Sequence, residues 1–388
     1  MDITTAKEKA MAAVETARAE LTEISLDIHA HPELALQERR ASKLLADHVE
    51  AHGFSVDRWA HGIETAFIGT WGEGPVTIAY LLEYDALPDI GHACGHNLIA
   101  TAGLGGAIGA KAALSPNAVR IVVMGTPAEE DLGGKQMLLD AGAFEGVDAA
   151  LMAHPAAIDI ADPHMFGVEQ VTATFRGVGA HASVAPETAL NALDGLVLAY
   201  TAIGQLRQHI RRDARLGGVI LQGGAASNVI PDVTVGKFEM RALNPQYLAD
   251  LKKRAIACIE AGAAASGTTV ELDWCTNFQP MNNNRPLAQA YKENAEALGR
   301  QFLKIPLEST GSSDQGNVSW AVPAIHPVFS IGNFALNHTA GFTEVSATEK
   351  AHDNMIQVGQ ALAMTGIDMV MRDGLLDEVK AEFGATRR

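Results

Sequence analysis

The sequence predicts an α/β protein with a smaller α+β domain inserted into it, and three observations carry that expectation. Short continuous apolar runs, VTIAYLL (76–82), VRIVVMG (119–125) and ALMAH (150–154), alternate with helix-like stretches. That is the pattern of strands buried on both faces of a sheet. From about His164 the order becomes strand, helix, strand, strand, helix, strand, the split pattern of a ferredoxin-like domain. The length, 388 residues, exceeds what one core usually serves, and the first pattern resumes after Pro280. The expected boundaries are 1–164 with 281–388 for the larger, discontinuous domain and 165–280 for the insertion.

Taken in order, Met11, Val14, Ala17, Leu21, Ile24 and Ile28 recur every three or four residues, so the first thirty positions read as one amphipathic helix stopped at Pro32. A second helix runs from about Glu38 to His52 and ends at Gly53. HNLIATAGLGGAIGAKAAL reads as the helix between the first two buried runs. In the insertion, VEQVTATFRG, LGGVILQGG, VTVGKFEMRAL and TTVELDWC read as strands. ETALNALDGLVLAYTAIGQLRQHI and PQYLADLKKRAIACIEAGAAASG read as its two helices. A helix from about Pro286, a strand near AIHPVFS and a long helix after Ser346 complete the larger domain.

Charge and cysteine usage narrow the function. The 29 Lys and Arg against 46 Asp and Glu leave a net charge of -17, which repels nucleic acid and anionic membranes and favours small molecules or short peptides as partners. MDITTAKEKAMAAVETARAEL lacks the apolar core of a signal peptide, and no apolar run reaches membrane-spanning length. Cys94, Cys258 and Cys275 are too few for a disulfide framework, so a reducing cytoplasm is expected.

Ligands of open parallel sheets bind beyond the carboxyl ends of the strands, and here each buried run delivers metal-type donors there. VTIAYLL is followed by Glu83, Asp85 and GHACGHN with His92, Cys94 and His96; VRIVVMG by Glu129, Glu130 and Asp131; ALMA by His154. Imidazole, thiolate and carboxylate together suit zinc or a similar first-row ion, whereas calcium or magnesium would draw oxygen alone. A lone cysteine would more often be a buried structural thiol; the flanking histidines reverse that preference. A nucleophilic Cys–His pair stays open but leaves the paired glutamates without a task. GLGGAIG (103–109) lies inside a helix rather than between strand and helix, so it is read as a close-packing surface and not a dinucleotide loop.

In order along the chain, EYDALPDIGHACGHNLIA, GTPAEED, GVGAHAS, GGAASNVIPD, GSSDQGNVS and NHTAGFT resemble the dinuclear metallopeptidase family of aminoacylases, carboxypeptidase G and auxin-conjugate amidohydrolases. The resemblance runs from HAHPELALQE to the NHT region. ACGHN, with Asn97 where many members have Asp, and EYDALP are most similar to its p-aminobenzoyl-glutamate hydrolase and β-alanyl-lysine dipeptidase-like branch.

That resemblance implies a zinc-peptidase-type catalytic domain with a central mixed sheet and an inserted lid and dimerisation domain. It implies that Cys94, His96, Glu130, His154 and His338 ligate two divalent ions, zinc or manganese, with Asp85 orienting them. Glu129 would be the general base toward a water held between the ions, and would return the proton to the leaving amine. His181 would act on the oxyanion of a neighbouring subunit's site, which makes a homodimer the expected assembly. Asn228 and Arg241 would hold the substrate's carboxylate side. Without the resemblance, His181 reads as a turn histidine and Asn228 and Arg241 as strand-end residues. Asp314 is read only as an orienting acid near the site; His29 and His31 as packing residues; His209 as a solvated helix end; Glu83 and His92 have no assigned role.

The expected activity is hydrolysis of an amide in an N-acyl amino acid, an aroylglutamate or a dipeptide. The alternatives are hydrolysis of a non-peptide C–N bond by the same chemistry, or a silent ligand-binding protein on the same fold.

Overall fold

The computed structural model describes residues 1–303 and 311–386. The chain forms two compact units, one made of Met1–Pro163 with residues 281–303 and 314–386, the other of His164–Pro280 with residues 311–313.

The first unit contains α1 (Ile3–Thr16), α2 (Arg18–Ala30), α3 (Arg39–Ala51), β1 (Ser55–Arg58), β2 (Phe67–Trp71), β3 (Val76–Glu83), α4 (His96–Ala113), β4 (Val119–Thr126), α5 (Gly134–Asp140), β5 (Ala149–Leu151) and β6 (His154–Ala156). Its sheet has the order β1-β2-β4-β3-β5 and then β13 (Ala324–Ile325). The sheet is mixed: β3 runs parallel to β4 and β5, and β13 parallel to β5, while β2 lies antiparallel on β4 and β1 antiparallel on β2. All eight residues of β3 are buried, as its unbroken apolar run requires of a central strand.

The first thirty residues are two helices rather than one. The chain kinks at Ala17 (φ -82°, ψ -1°), which keeps Ala6, Ala10 and Val14 of α1 and then Leu21, Ile24 and Ile28 of α2 all against the core. ALMAH likewise is not a single strand. β5 stays in the main sheet, whereas His154 opens β6, which pairs with β14 (Val328–Ser330) in a separate two-stranded ribbon. The hairpin β1–β2 carried no sequence expectation, because β1 is four residues long and mostly exposed.

Nearly every residue of α4 is buried. Its glycines let neighbours approach: a Cβ at Gly106 would meet the Tyr80 ring at 2.8 Å, and one at Gly109 would meet Ala363 of α11 (Glu349–Met371) at 2.7 Å. GLGGAIG is therefore a helix-packing surface. Around the sheet, α8 (Arg285–Ala297), α9 (Gln315–Ala321), α10 (Ala340–Ser346) and α12 (Leu375–Thr386) complete this unit.

The second unit contains β7 (Gly167–Arg176), β8 (Ala180–His181), α6 (Ala192–Leu206), β9 (Ala214–Gln222), β10 (Val229–Ile230), β11 (Val233–Ala242), α7 (Pro245–Ser266) and β12 (Thr269–Phe278). Its four-stranded sheet has the antiparallel order β12-β7-β11-β9, which with two helices is the ferredoxin-like arrangement. Burial alternates strictly along β11, so Phe238 and Met240 face a core shared with Leu196 and Ile203 of α6 and Leu251 and Ile259 of α7.

Candidate functional site

Three chain segments converge beyond the carboxyl ends of β3, β4 and β5, as the sequence pattern requires. Beyond β3 the chain passes Asp85 and turns into α4 at Gly95, whose φ of +75° suits glycine and where a Cβ would strike Pro155 at 2.6 Å. Cys94 is thereby placed just before the helix and His96 at its first residue.

His96 is fully buried, and its Nδ1 lies 3.0 Å from Asp85 Oδ1. The other ring nitrogen, Nε2, faces Glu83 Oε2 at 3.6 Å, Glu130 Oε1 at 3.7 Å and Glu129 Oε2 at 4.0 Å. Asp85 also accepts the backbone N–H of Glu130 at 3.0 Å on its second oxygen, so one carboxylate orients both an imidazole and the glutamate segment. His154 is fixed by Nδ1, 2.9 Å from Pro155 O, leaving Nε2 3.4 Å from Cys94 Sγ. His338 is held by its backbone N–H to Ala93 O in a left-handed conformation (φ +63°), with Nε2 3.5 Å from Glu130 Oε1.

These donors form overlapping groups whose ligand atoms all lie within 4.8 Å of one another: Cys94, His96 and His154; Cys94, Glu130 and His338; His96, Glu129 and Glu130. Two donors of one four-coordinate ion with ordinary bond lengths stand about 3.3–3.8 Å apart. The spacings of Cys94 to His154 and of Glu130 to His338 match that edge. Among the described residues, buried His96 Nε2 and Glu130 Oε1 have no hydrogen-bond partner. Leaving such atoms unpaired is costly, and a cation would satisfy both. The residues present therefore fit two divalent ions, with Cys94 common to two groups.

Burial dominates the electrostatics of the site. Burial pushes the Cys94 thiol up, and Glu130 adds to the effect. Burial also holds His154 down at about 4, with the charge of His96 acting in the same direction. Glu129, 6 % exposed, has its carboxyl raised well above the usual range by burial first and then by Glu83, Glu130 and Asp314.

Behind Glu129 stand Glu83 and Lys135, to which sequence reasoning gave no role, and Asp314, read only as an orienting acid. Lys135, at the start of α5, is fully buried; its Nζ bonds Glu83 and, at 2.7 Å, Asp314 Oδ1, while its backbone N–H donates to Asp314 Oδ2 at 2.9 Å. Glu83, Glu129 and Asp314 themselves bring oxygens within 4.8 Å of one another. His326, fully buried, packs edge-on against His154 with ring centroids 5.6 Å apart. Neither Lys135 nor His326 sits in a recognisable donor spacing, so only the fold could reveal them. His92 is buried and stacks on His29 at 6.3 Å, outside the donor groups.

His181, Asn228 and Arg241 lie in the second unit. His181 is exposed in the ribbon β8–β10, opposite Val229, and its Nδ1 accepts the Ser183 N–H. Asn228 is exposed and accepts the Ala182 N–H on its backbone oxygen. Arg241 is engaged by Glu239 and donates to Ser312 Oγ at 3.0 Å.

Among known proteins, the model of peptidase family M20/M25/M40 matches residues 82–364. Xaa-Arg dipeptidase of Mus musculus is 39% identical, over 97% of this chain and 92% of that protein. A p-aminobenzoyl-glutamate hydrolase component of Escherichia coli K12 is 28% identical, over 95% of this chain and 93% of that protein. Among solved structures, a dinuclear metal-binding peptidase of Bacillus subtilis superposes with a TM-score of 0.71 at 20% identity, covering 92% of this chain and 99% of that one. An aminobenzoyl-glutamate utilization protein of Klebsiella pneumoniae gives 0.72 at 18% identity, covering 92% and 98%.

Proposed function

The chain belongs to peptidase family M20/M25/M40, and from that premise we propose that it is a metal-dependent hydrolase of amide bonds in dipeptides, N-acyl amino acids or aroylglutamates. The observation that carries the reading is the pair of donor groups sharing Cys94 with Glu129 buried beside them. Cys94, His96 and His154 would hold one ion, and Cys94, Glu130 and His338 the other. Zinc or manganese suits this mixture of sulfur, nitrogen and oxygen donors. When bound, the ions supply Lewis acidity that polarises the amide carbonyl and acidifies a water. Glu129 would take a proton from the attacking water and pass it to the leaving amine as the C–N bond breaks, so one carboxylate would serve both halves of the reaction. Asp85 keeps His96 and the Glu130 backbone in register throughout.

Dipeptides with a basic second residue head the substrate list. The relatives of Mus musculus and Homo sapiens named Xaa-Arg dipeptidase are 39% and 37% identical over nearly the whole chain, and a net charge of -17 favours a cationic substrate. Chelated and metal-reloaded protein, assayed on Ala-Arg, p-aminobenzoyl-glutamate and N-acetyl amino acids, is expected to cleave Ala-Arg fastest, and only when loaded. Cleavage that survives complete metal removal would overturn the reading. A silent binding protein would be expected to have lost Glu129 or part of the donor set, and both are present.

His181 is assigned to the oxyanion of a partner subunit, and Asn228 and Arg241 to the substrate carboxylate; residue type and family resemblance support these roles. A homodimer through the second unit is supported by an apolar edge: Val219, Ile220 and Leu221 on edge strand β9 and Val197 and Leu198 on α6 are all at least 40% exposed. Mixing inactive Glu129→Gln and His181→Ala subunits is expected to restore up to about a quarter of the activity, the statistical share of intact composite sites when active sites are built from two chains. No recovery after verified subunit exchange would refute the shared site. No helix among the described residues is long and apolar enough to cross a membrane; a cytoplasmic location is proposed from the sparse, unpaired cysteines.

A further inference from the structure

The segment that carries Glu129 and Glu130 turns on Ala128, a non-glycine residue in the left-handed region (φ +59°). Such a conformation is unfavourable for alanine and persists only where its surroundings impose it. Here both faces of the peptide are clamped. The Ala128 carbonyl accepts the N–H groups of Leu132, Gly133 and Gly134 at 3.3, 2.9 and 3.3 Å. Its N–H donates to Glu38 Oε1 at 2.8 Å.

Glu38 is an unusual residue to find there. It is fully buried, and burial raises its carboxyl to about 7. Its own backbone N–H, that of Ala128 and the Thr65 hydroxyl act on the carboxyl but do not offset its burial, and an apolar residue of the same size would avoid that desolvation. The chain nonetheless builds a support for it. Leu36 is itself left-handed (φ +58°), and the Glu33 carboxylate caps α3 by accepting the N–H groups of Arg40 and Ala41 at 3.0 and 2.9 Å. Glu33 O also accepts the Ala86 N–H at 2.8 Å, which ties this turn to the segment carrying Asp85.

We propose that Glu38 is a positioning residue for the reaction: through its hydrogen bond to Ala128 it imposes the left-handed turn that aims Glu129 at the reacting water and Glu130 at the metal. The inference rests on the hydrolase reading, and no role for Glu38 is contained in that reading itself. It acts through the backbone and touches neither substrate nor metal.

The test compares Glu38→Gln, which keeps an acceptor, with Glu38→Leu, which keeps the bulk and loses it. In folded protein of matched Tm, Glu38→Leu is expected to lower kcat by about 100-fold with KM little changed, the scale of loss for displacing a reacting group by about 1 Å. Metal affinity, measured by competition with a chromophoric chelator, should weaken about tenfold, as for loss of an outer-shell partner. Glu38→Gln should stay close to wild type. Adding Ala128→Gly to Glu38→Leu should recover a large part of both losses, because glycine adopts the turn without the clamp. If Glu38→Leu does not fold, Glu38→Asp, which shortens the reach by one methylene, takes its place with the same expectations. A folded variant lacking the contact that keeps wild-type kcat and metal affinity would overturn the proposal, as would losses that Ala128→Gly leaves untouched. Wild-type protein that binds metal but cleaves no amide would refute the hydrolase reading alone, because the metal titrations still report on Glu38.

Discussion

Replacing Glu129 with Gln is expected to lower kcat by roughly 10³- to 10⁴-fold, near the upper end for general acid–base catalysis, if one carboxylate both accepts the proton and returns it as proposed. The substitution is nearly isosteric, so the buried pocket between Glu83, Glu130 and Asp314 is filled as before. What it removes is the proton-accepting oxygen. Burial and the surrounding carboxylates raise the proton affinity of Glu129. Metal content should stay at the wild-type level, since Cys94, His96, His154, Glu130 and His338 are intact. Steady-state kinetics with metal analysis on the same preparation decides the matter. Activity within about tenfold of wild type would transfer the base role elsewhere, and coincident loss of metal would make Glu129 a ligand.

Replacing His96 with Ala should weaken metal binding by more than about 100-fold, beyond the roughly 10- to 100-fold typical of removing an outer-shell partner. His96 belongs to two of the donor groups and is fully buried, so nothing from solvent can stand in for its Nε2. Asp85→Asn provides the internal comparison. It keeps all donors but loosens both the His96 ring and the Glu130 backbone that Asp85 holds, and it should fall inside the smaller range. Competition titrations with a chromophoric chelator give both numbers. An unchanged affinity in His96→Ala would remove it from the ligand set, and an equal loss in the two variants would make Asp85 as important to metal binding as His96 itself.

Local pattern was enough to read the α/β class, the ferredoxin-like insertion and the strand-end donors. VTIAYLL buries both faces and can only be a central strand, and β11 alternates as a one-sided strand must. Cys94, His96, Glu129, Glu130 and His154 were visible because each follows a buried run at the end of the sheet where ligands bind. The kink at Ala17 and the division of ALMAH between two sheets were not visible, because periodicity reports which face is apolar and not where a long element changes direction.

Glu38, Lys135 and His326 mark the same boundary from the other side. Each is a polar residue buried by the fold, and each stands in a stretch whose local chemistry is ordinary. Nothing local marks Lys135; Glu83, 52 positions away, and Asp314, 179 positions away, meet its ammonium only in the fold. Glu38 reads as a helix start until Ala128, 90 positions on, donates to it. Hydrophobic periodicity and donor types are properties of neighbours along the chain, and so are written there. The partner that makes a buried charge tolerable comes from distant sequence, and is settled only when the chain packs.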